Sequence, residues 1–391
     1  MELLLIITAA ISIVVCAAAL IDLIPIFIRW FSRIHIGQWN SSEEWNASVK
    51  KVLFQQLKKT PAVPVSGNTR LTIVERLKGT YKSENLQIWQ QAALLLGTND
   101  FCGSVEAEKC INNFIRSKID PESGGWIRRC DKNEGAMLAY AILLSPLSDK
   151  QKIKPAMDQT AFILKAMAEK YGTVPYDTSI PNVAFVDSVG MICPFLIKYS
   201  MMYSDENALD IGRRQLMEYC EKGLHEEFNI PIHCFDKNTG APLGIYGWGR
   251  GCGWLALGMM ESYLSLPEAS NNKSVNDLKS YIFKQMILYA DAILRFQTSD
   301  GAWCRQMQLP DSGESTATAM LGRFMNKMFI LSGDTKYKSS AEKAKRFLVG
   351  CTRRNGILDY AQGDTSGIGF YSLRMDSLPA AQGFAAGLMR M

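Results

Sequence analysis

Tyr246-Gly247-Trp248-Gly249-Arg250-Gly251-Cys252-Gly253-Trp254 puts four glycines, two tryptophans and one arginine into nine residues. Glycine lets a backbone approach a neighbour closely or take φ > 0. Tryptophan offers a flat apolar face with one N–H donor at its edge. Arginine offers a fixed fork of donors that matches a carboxylate. As a rigid loop, the window carries two stacking planes, Trp248 and Trp254, and an anion fork, Arg250, which together suit a sugar acid. The same residues also read as a tight turn whose tryptophans fill the core and whose arginine pairs with a structural acid.

Outward from this window the pattern is helical. Apolar residues recur at three- and four-residue spacing over 88–96, 110–119, 136–144, 156–171, 189–203, 213–224, 254–266, 278–296, 315–331 and 337–350. Between these runs lie Gly- and Pro-bearing loops such as Ser123-Gly124-Gly125, Asn238 to Pro242, Ser299-Asp300-Gly301 and Gly363 to Gly369. Alternating β-branched runs are scarce, so the class is all-α. Helices joined alternately by short links and by longer, chemically richer loops suit helical hairpins set around a ring, with the rich loops at one end. Periodicity alone does not separate a closed barrel from an open superhelix.

The N-terminus reads differently. Leu3 to Leu20 is apolar apart from Thr8 and Ser12, and the run resumes through Ile24-Pro25-Ile26-Phe27-Ile28. About 20 apolar residues suffice to cross a bilayer. No Lys or Arg precedes the run, as a secretory signal would need. Residues 1–35 are therefore expected as an uncleaved, single-pass transmembrane anchor. The first cations, Arg29, Arg33, Lys50 and Lys51, follow it and place the bulk of the chain on the cytoplasmic side. Residues 36–70, with Pro61, Pro64, Ser66 and Gly67, are expected as a linker with one short helix over Glu43 to Leu57. The catalytic domain is expected over 71–391, starting at Leu71.

Composition narrows the partners. Of the 391 residues, 47% are hydrophobic and 21% charged, as in an ordered globular protein. The net charge of +5 is spread along the chain with no dense basic run, which argues against nucleic acid. Ten cysteines stand singly, without CxxC or Cys/His spacing, so a zinc site is not expected and a reducing compartment is.

Four places carry chemistry. In Phe185-Val186-Asp187-Ser188-Val189-Gly190-Met191, an aspartate opens an amphipathic helix, where the dipole favours its charge and apolar neighbours oppose it. Such a group suits acid–base work, and it equally suits an N-cap. In Ile232-His233-Cys234-Phe235-Asp236, His233 is one of only three histidines; it reads as a hydroxyl or carboxylate contact, or as a satisfied core residue. Asp131-Lys132-Asn133-Glu134-Gly135 supplies a second carboxylate at a helix start. Phe296 to Trp303 is a polar turn, and Glu314 opens the helix Ser315-Thr316-Ala317-Thr318-Ala319-Met320, with a cap as its expected role.

In this order, Asp187, His233, the Trp248–Trp254 window, Gln297-Thr298-Ser299-Asp300-Gly301-Ala302-Trp303 and Glu314 to Met320 form a series that resembles glycoside hydrolases of families 88 and 105, the unsaturated glucuronyl and unsaturated rhamnogalacturonyl hydrolases. The likeness spans roughly residues 75 to 391. It implies an (α/α)6 barrel with its site in the loops at one end, Asp187 as catalytic acid, and His233, Arg250 and Trp254 in contact with an unsaturated sugar acid. The family's earlier acidic residue falls at Glu134, beside Asn133, and Cys252 stands where the family has asparagine. The implied reaction is hydration of an enol ether in a 4,5-unsaturated uronic acid at the end of an oligosaccharide, without metal or organic cofactor. The residues themselves leave two other readings open: hydrolysis of a saturated uronoside or another glycan, and a membrane-tethered glycan-binding or assembly protein.

Overall fold

The computed structural model describes residues 1–63, 87–128, 132–309, 313–365 and 367–391. Pro64, Ser66, Gly67, the expected domain start at Leu71, and Asp131 lie outside the described residues. Within them the helices, in chain order, are α1 (Glu2–Ser32), α2 (Ser42–Lys58), α3 (Ile88–Asn99), α4 (Val105–Arg116), α5 (Asn133–Leu144), α6 (Lys154–Tyr171), α7 (Val186–Tyr203), α8 (Glu206–Lys222), α9 (Gly249–Ser265), α10 (Lys273–Leu294), α11 (Ser315–Ser332), α12 (Thr335–Gly350) and α13 (Pro379–Met389). A three-stranded antiparallel sheet joins β1 (Val183–Phe185), β2 (Ile232–Asp236) and β3 (Pro242–Tyr246), and a short hairpin pairs β4 (Ala361–Gln362) with β5 (Met375–Asp376).

Helices α3, α5, α7, α9, α11 and α13 pack each against the next, and α13 packs back on α3, so the inner ring closes. Helices α4, α6, α8, α10 and α12 lie outside α3, α5, α7, α9 and α11, and α2 covers the seam between α13 and α3. The result is an (α/α)6 barrel. Sequence explains the two layers. Inner α5 is Ala136-Met137-Leu138-Ala139-Tyr140-Ala141-Ile142-Leu143, buried throughout. Outer α4 buries only Ala107, Ile111 and Phe114, one stripe at helical spacing, and turns its charges to water.

Neighbouring inner helices approach so closely that side chains are excluded at the contacts. A Cβ on Gly383 would lie 2.2 Å from the Ala93 carbonyl oxygen, and one on Gly97 would lie 2.1 Å from that of Gly383. This glycine pair closes the ring between α3 and α13.

The segment expected as a linker departs from expectation. Its helix spans Ser42–Lys58, and Trp45, Val49, Leu53 and Leu57 are buried in the main core. Trp45 Nε1 donates to Thr352 Oγ1 at 2.9 Å. An average over 36–70 reads as polar, but the apolar residues of this stretch recur on one face, and that face is what the seam buries. The glycine-tryptophan window departs as well: residues from Gly249 onward are the first turns of α9, not a loop. Its glycines serve close packing, as where Gly253 meets Met320. By contrast α1 projects from the barrel with its apolar side chains exposed.

Replacing Gly383 by valine should destabilise the barrel by about 1–3 kcal/mol or more, the usual cost of overpacking against fixed backbone. Denaturant midpoints would show it. Gly350→Ala, at a position where an added Cβ meets nothing within 4 Å, is the control and should stay near the parent.

Candidate active site

The six inner helices run parallel, and their N-termini lie together at one end. Residues Glu134, Asp187 and Arg250 all occupy the first turn of their helices, α5, α7 and α9. A helix leaves its first N–H groups unpaired and carries a positive partial charge there. Outer helices α4, α8, α10 and α12 satisfy these groups with the cap side chains Ser104, Asp205, Asn272 and Asp334. Inner helices α3, α5, α7, α9 and α13 have no side-chain bond from their own cap residue. At this end the inner helices lean on distant groups for their first N–H groups, as where Glu134 takes the Ile88 N–H and Gln90 the Ala380 N–H, and inner α11 alone has a side-chain cap, Glu314.

The sheet positions the central pair. Strand β1 runs straight into α7, and its pairing of Phe185 with Cys234 brings the first turn of α7 beside β2. His233 Nε2 lies 3.6 Å from Asp187 Oδ2. Asp187 is not a cap: the cap position is Phe185, and no side chain bonds there. The carboxylate is 7% exposed, and its Oδ2 has no hydrogen-bond partner. A buried unpaired oxygen of this kind is costly unless a ligand or function accounts for it.

His233 is oriented from its other side. Its Nδ1 lies 2.8 Å from the Tyr371 hydroxyl. That hydroxyl accepts the Ile245 N–H at 3.1 Å. Burial pushes the Tyr371 phenol up to about 12, so it stays protonated. The hydroxyl donates to His233 Nδ1 or accepts from it according to the ring's tautomer, and in either case it fixes the orientation that turns Nε2 toward Asp187.

Arg250 is 1% exposed. Its guanidinium donates to the carbonyls of Gln362 at 2.8 Å and Gly363 at 3.3 Å and reaches Asp364 Oδ1 at 3.4 Å. It lies 4.9 Å from the centre of the Trp248 ring. Trp248 Nε1 donates to Gln362 Oε1 at 2.9 Å, and the Gln362 N–H donates to Glu314 Oε1 at 2.9 Å. Glu314 also accepts from the N–H groups of Thr316 and Ala317, so it is a true cap of α11 and a brace for the hairpin at once.

The acids divide by environment. Burial is the main cause that holds the Glu134 carboxyl above its ordinary value, against the Ile88 N–H that bonds Oε2 at 3.0 Å; the charge of Asp364 raises it further. Burial likewise raises Asp364, with Arg250 opposing and Asp187 adding to the rise. Burial is the main cause that raises the Tyr176 phenol; the charges of Asp187, Glu134 and Asp364 add to it, and Arg250 opposes them. Tyr176 also lines a cavity of about 360 Å³ with Lys132, Asn133, Glu134 and Asp177.

The structure therefore brings Asp187, His233, Arg250, Trp248 and Glu134 to one end of the ring. Trp254 sits one turn deeper. It meets Trp89 edge-on with ring centres 5.3 Å apart and packs on Gly190, with no open face. Trp248 is equally closed. The aromatic residue that does present a surface here is Tyr176, 39% exposed. The Asn133 amide is taken up by the Pro175 carbonyl, to which it donates at 2.9 Å. Sequence reasoning missed Tyr176, Asp364 and Tyr371. All three lie in loops without periodicity; the glycine-flanked stretch 363–369 marked Asp364's loop but not its use.

The raised carboxyls have a stability consequence. Below the ordinary glutamate value Glu134 is protonated in both folded and unfolded chains and carries no penalty. As pH rises through its elevated folded value, the stability it contributed is lost. Glu134→Gln, which keeps an acceptor for Ile88 N–H, should therefore raise the melting temperature at neutral pH, with the gain fading as pH falls through the elevated folded value and gone below about pH 4.5. Calorimetry across that range checks the sign.

Comparison with known proteins follows this geometry. The family profile described as Glycosyl Hydrolase Family 88 matches residues 82–385. The structure of a possible member of the GH105 family from Klebsiella pneumoniae superposes with a TM-score of 0.72 at 16% identity, covering 90% of this chain and 93% of that one. An unsaturated glucuronyl hydrolase from Bacillus sp. GL1, responsible for the degradation of glycosaminoglycan, gives 0.61 at 14% identity over 90% and 96% of the two chains. Another, specific for heparin, gives 0.63 at 13% identity over 90% and 97%. No curated protein matches the chain at a significant level. At these identities the neighbours speak for the barrel, while the family profile covers most of the sequence: the chain belongs to glycosyl hydrolase family 88.

Proposed function

We propose that the chain is a glycoside hydrolase that removes a 4,5-unsaturated uronic acid from the non-reducing end of an oligosaccharide, with Asp187 as the acid. The observation that carries this reading is the buried, unbonded Oδ2 of Asp187 beside His233 at the uncapped start of α7. Asp187 gives its proton to C4 of the C4=C5 double bond. Positive charge then spreads over C5 and the ring oxygen, where neighbouring carboxylates stabilise it. Water adds at C5, and its proton passes to Asp187 or Glu134. The hemiketal opens, and the shortened saccharide leaves. The net reaction consumes one water and needs no cofactor.

Arg250 supplies the clamp for the sugar's carboxylate. Its longest bond, 3.4 Å to Asp364 Oδ1, is the contact that a substrate carboxylate would replace. Burial, which raises Asp364 against the opposing charge of Arg250, weakens that carboxylate's hold on the contact. His233 binds a sugar hydroxyl through the face turned to Asp187. Because Trp254 and Trp248 are closed in, the sugar ring stacks on Tyr176. The protein is further read as a single-pass membrane protein with α1 as anchor: 31 helical residues at about 1.5 Å each exceed the roughly 30 Å hydrocarbon core. The cations after α1 place the barrel on the cytoplasmic side.

Asp187→Asn should lower turnover of an unsaturated disaccharide by about two to four orders of magnitude with the fold retained. The absorbance of the double bond follows the reaction directly. Near-parental turnover would remove Asp187 from the chemistry. A saturated disaccharide cleaved as fast as the unsaturated one would replace alkene protonation with displacement at the anomeric carbon. Arg250→Lys should raise KM more than it lowers kcat, because an ammonium lacks the bidentate fork. An unchanged KM would place the carboxylate elsewhere.

A further inference from the structure

The hairpin that supplies Gln362, Asp364 and Tyr371 to the site is fastened at its base to the apolar N-terminal helix. Arg33, the C-cap of α1, makes a bidentate pair with the buried Asp359 through Nε at 2.6 Å and Nη2 at 2.7 Å. The same Nη2 donates to the Met375 carbonyl at 3.0 Å. Arg29, one turn earlier, pairs with Asp376 at 2.8 Å. Arg353 bridges Asp359 and Asp376, and Arg374 adds to Asp376. Met375 pairs with Gln362 across β4 and β5, a strand spacing of about 4.8 Å. Gln362 in turn holds Trp248 and Arg250. Two residues therefore separate the end of the apolar helix from the arginine of the site.

The position of this clamp fixes which end of the barrel faces the helix. Gly37 N–H donates to the Thr352 carbonyl at 2.9 Å, just past the end of α12. Outer helices run opposite to inner ones, so the end of α12 lies at the end where the inner helices begin. The hairpin carries exposed apolar side chains: Phe370 is 72% exposed and Leu373 62%, on either side of Tyr371. Trp30, exposed in the last turn of α1, is an amphipathic ring of the kind that favours a headgroup layer, and the apolar Phe31 is exposed beside it. In the clamp, four arginines face two aspartates, and the surplus positive charge suits anionic headgroups.

We propose that the active-site end of the barrel lies against the lipid surface, with Phe370 in the headgroup layer, so that saccharide enters the site along the membrane and not from the open solvent side. This rests on α1 being a membrane anchor, and it adds that the anchor holds the site loop at the bilayer instead of merely tethering the barrel.

The test uses the full chain in vesicles of phosphatidylcholine and phosphatidylglycerol, with acyl chains brominated near the headgroups or left unmodified. Tryptophan is introduced as Phe370→Trp, and separately as Ile330→Trp in the last turn of α11, an exposed position at the far end of the barrel. The emission added by Phe370→Trp over the parent should fall by about half in brominated vesicles, and that added by Ile330→Trp should not change. Resistance to alkaline extraction is read in the same preparations. Chains that resist extraction while Phe370→Trp is unquenched overturn this inference and leave the anchor standing. Chains that are extracted overturn both. Equal quenching at the two positions also overturns it, since the barrel would then lie on its side. Turnover of an unsaturated disaccharide by the same vesicles tests the hydrolase reading separately.

Discussion

Six parallel helices can surround a common site only if each approaches its neighbours nearly backbone to backbone. The structure depends on that approach. Gly97 and Gly383 permit it where the ring closes, and Gly190 permits it where α7 meets the Trp254 ring on α9. Once the helices are this close, their first turns converge, and the partial positive charges of uncapped N-termini add at one end. Acidic residues placed there meet two opposing effects. The dipoles favour ionisation, and burial in the crowded end resists it. For Glu134 and Asp364 burial wins, and both carboxyls are raised. A packing constraint thus becomes a chemical one.

The second dependency is the hairpin spanning residues 359–376. The helical ring supplies Asp187, Glu134 and Arg250, but it leaves them open on one side. Gln362 closes that side by meeting three groups at once: the Trp248 indole, the Arg250 guanidinium and, through its own N–H, the Glu314 carboxylate. Tyr371 then sets the ring of His233. None of these bonds is strong alone, since an ordinary hydrogen bond contributes about 1 kcal/mol net. They share partners, so losing one leaves buried polar atoms elsewhere unsatisfied. Arg250 therefore works as a hub for the loop as well as a candidate ligand for an anion.

Several features could be read before any coordinates. Periodicity located most helices, and their ends fell close to the observed ones because glycines and prolines punctuate them. Starts were read late: α4 begins at Val105, not Cys110, and α8 at Glu206, not Arg213, since a capped first turn is polar and hides the stripe. Asp187 and His233 stood out as polar residues among apolar ones, and they do meet. The tryptophan of the window was harder. Trp254 on paper is a stacking plane, but whether a plane is open depends on what covers it, and Trp89 and Gly190 lie far away in sequence. The helix over 42–58 looked like part of a tether because its partners, α3 and α13, are neighbours in the ring but come from opposite ends of the barrel's sequence.

By itself, the amino-acid order determined the helical class, the apolar N-terminal run, the acids and histidine that are the candidates for chemistry, and the order in which they follow one another. These are local properties: spacing, charge and side-chain type survive in any fold. Tertiary structure alone decided that Asp187 keeps an unbonded oxygen, that Arg250 is already engaged by the 362 and 363 carbonyls and the Asp364 carboxylate, that Tyr176 and not a tryptophan of the site is exposed, and that the site loop is fastened to the end of α1. Each of those depends on groups tens to hundreds of residues apart being brought within a few ångströms, and burial and hydrogen-bond partners exist only once the ring has closed.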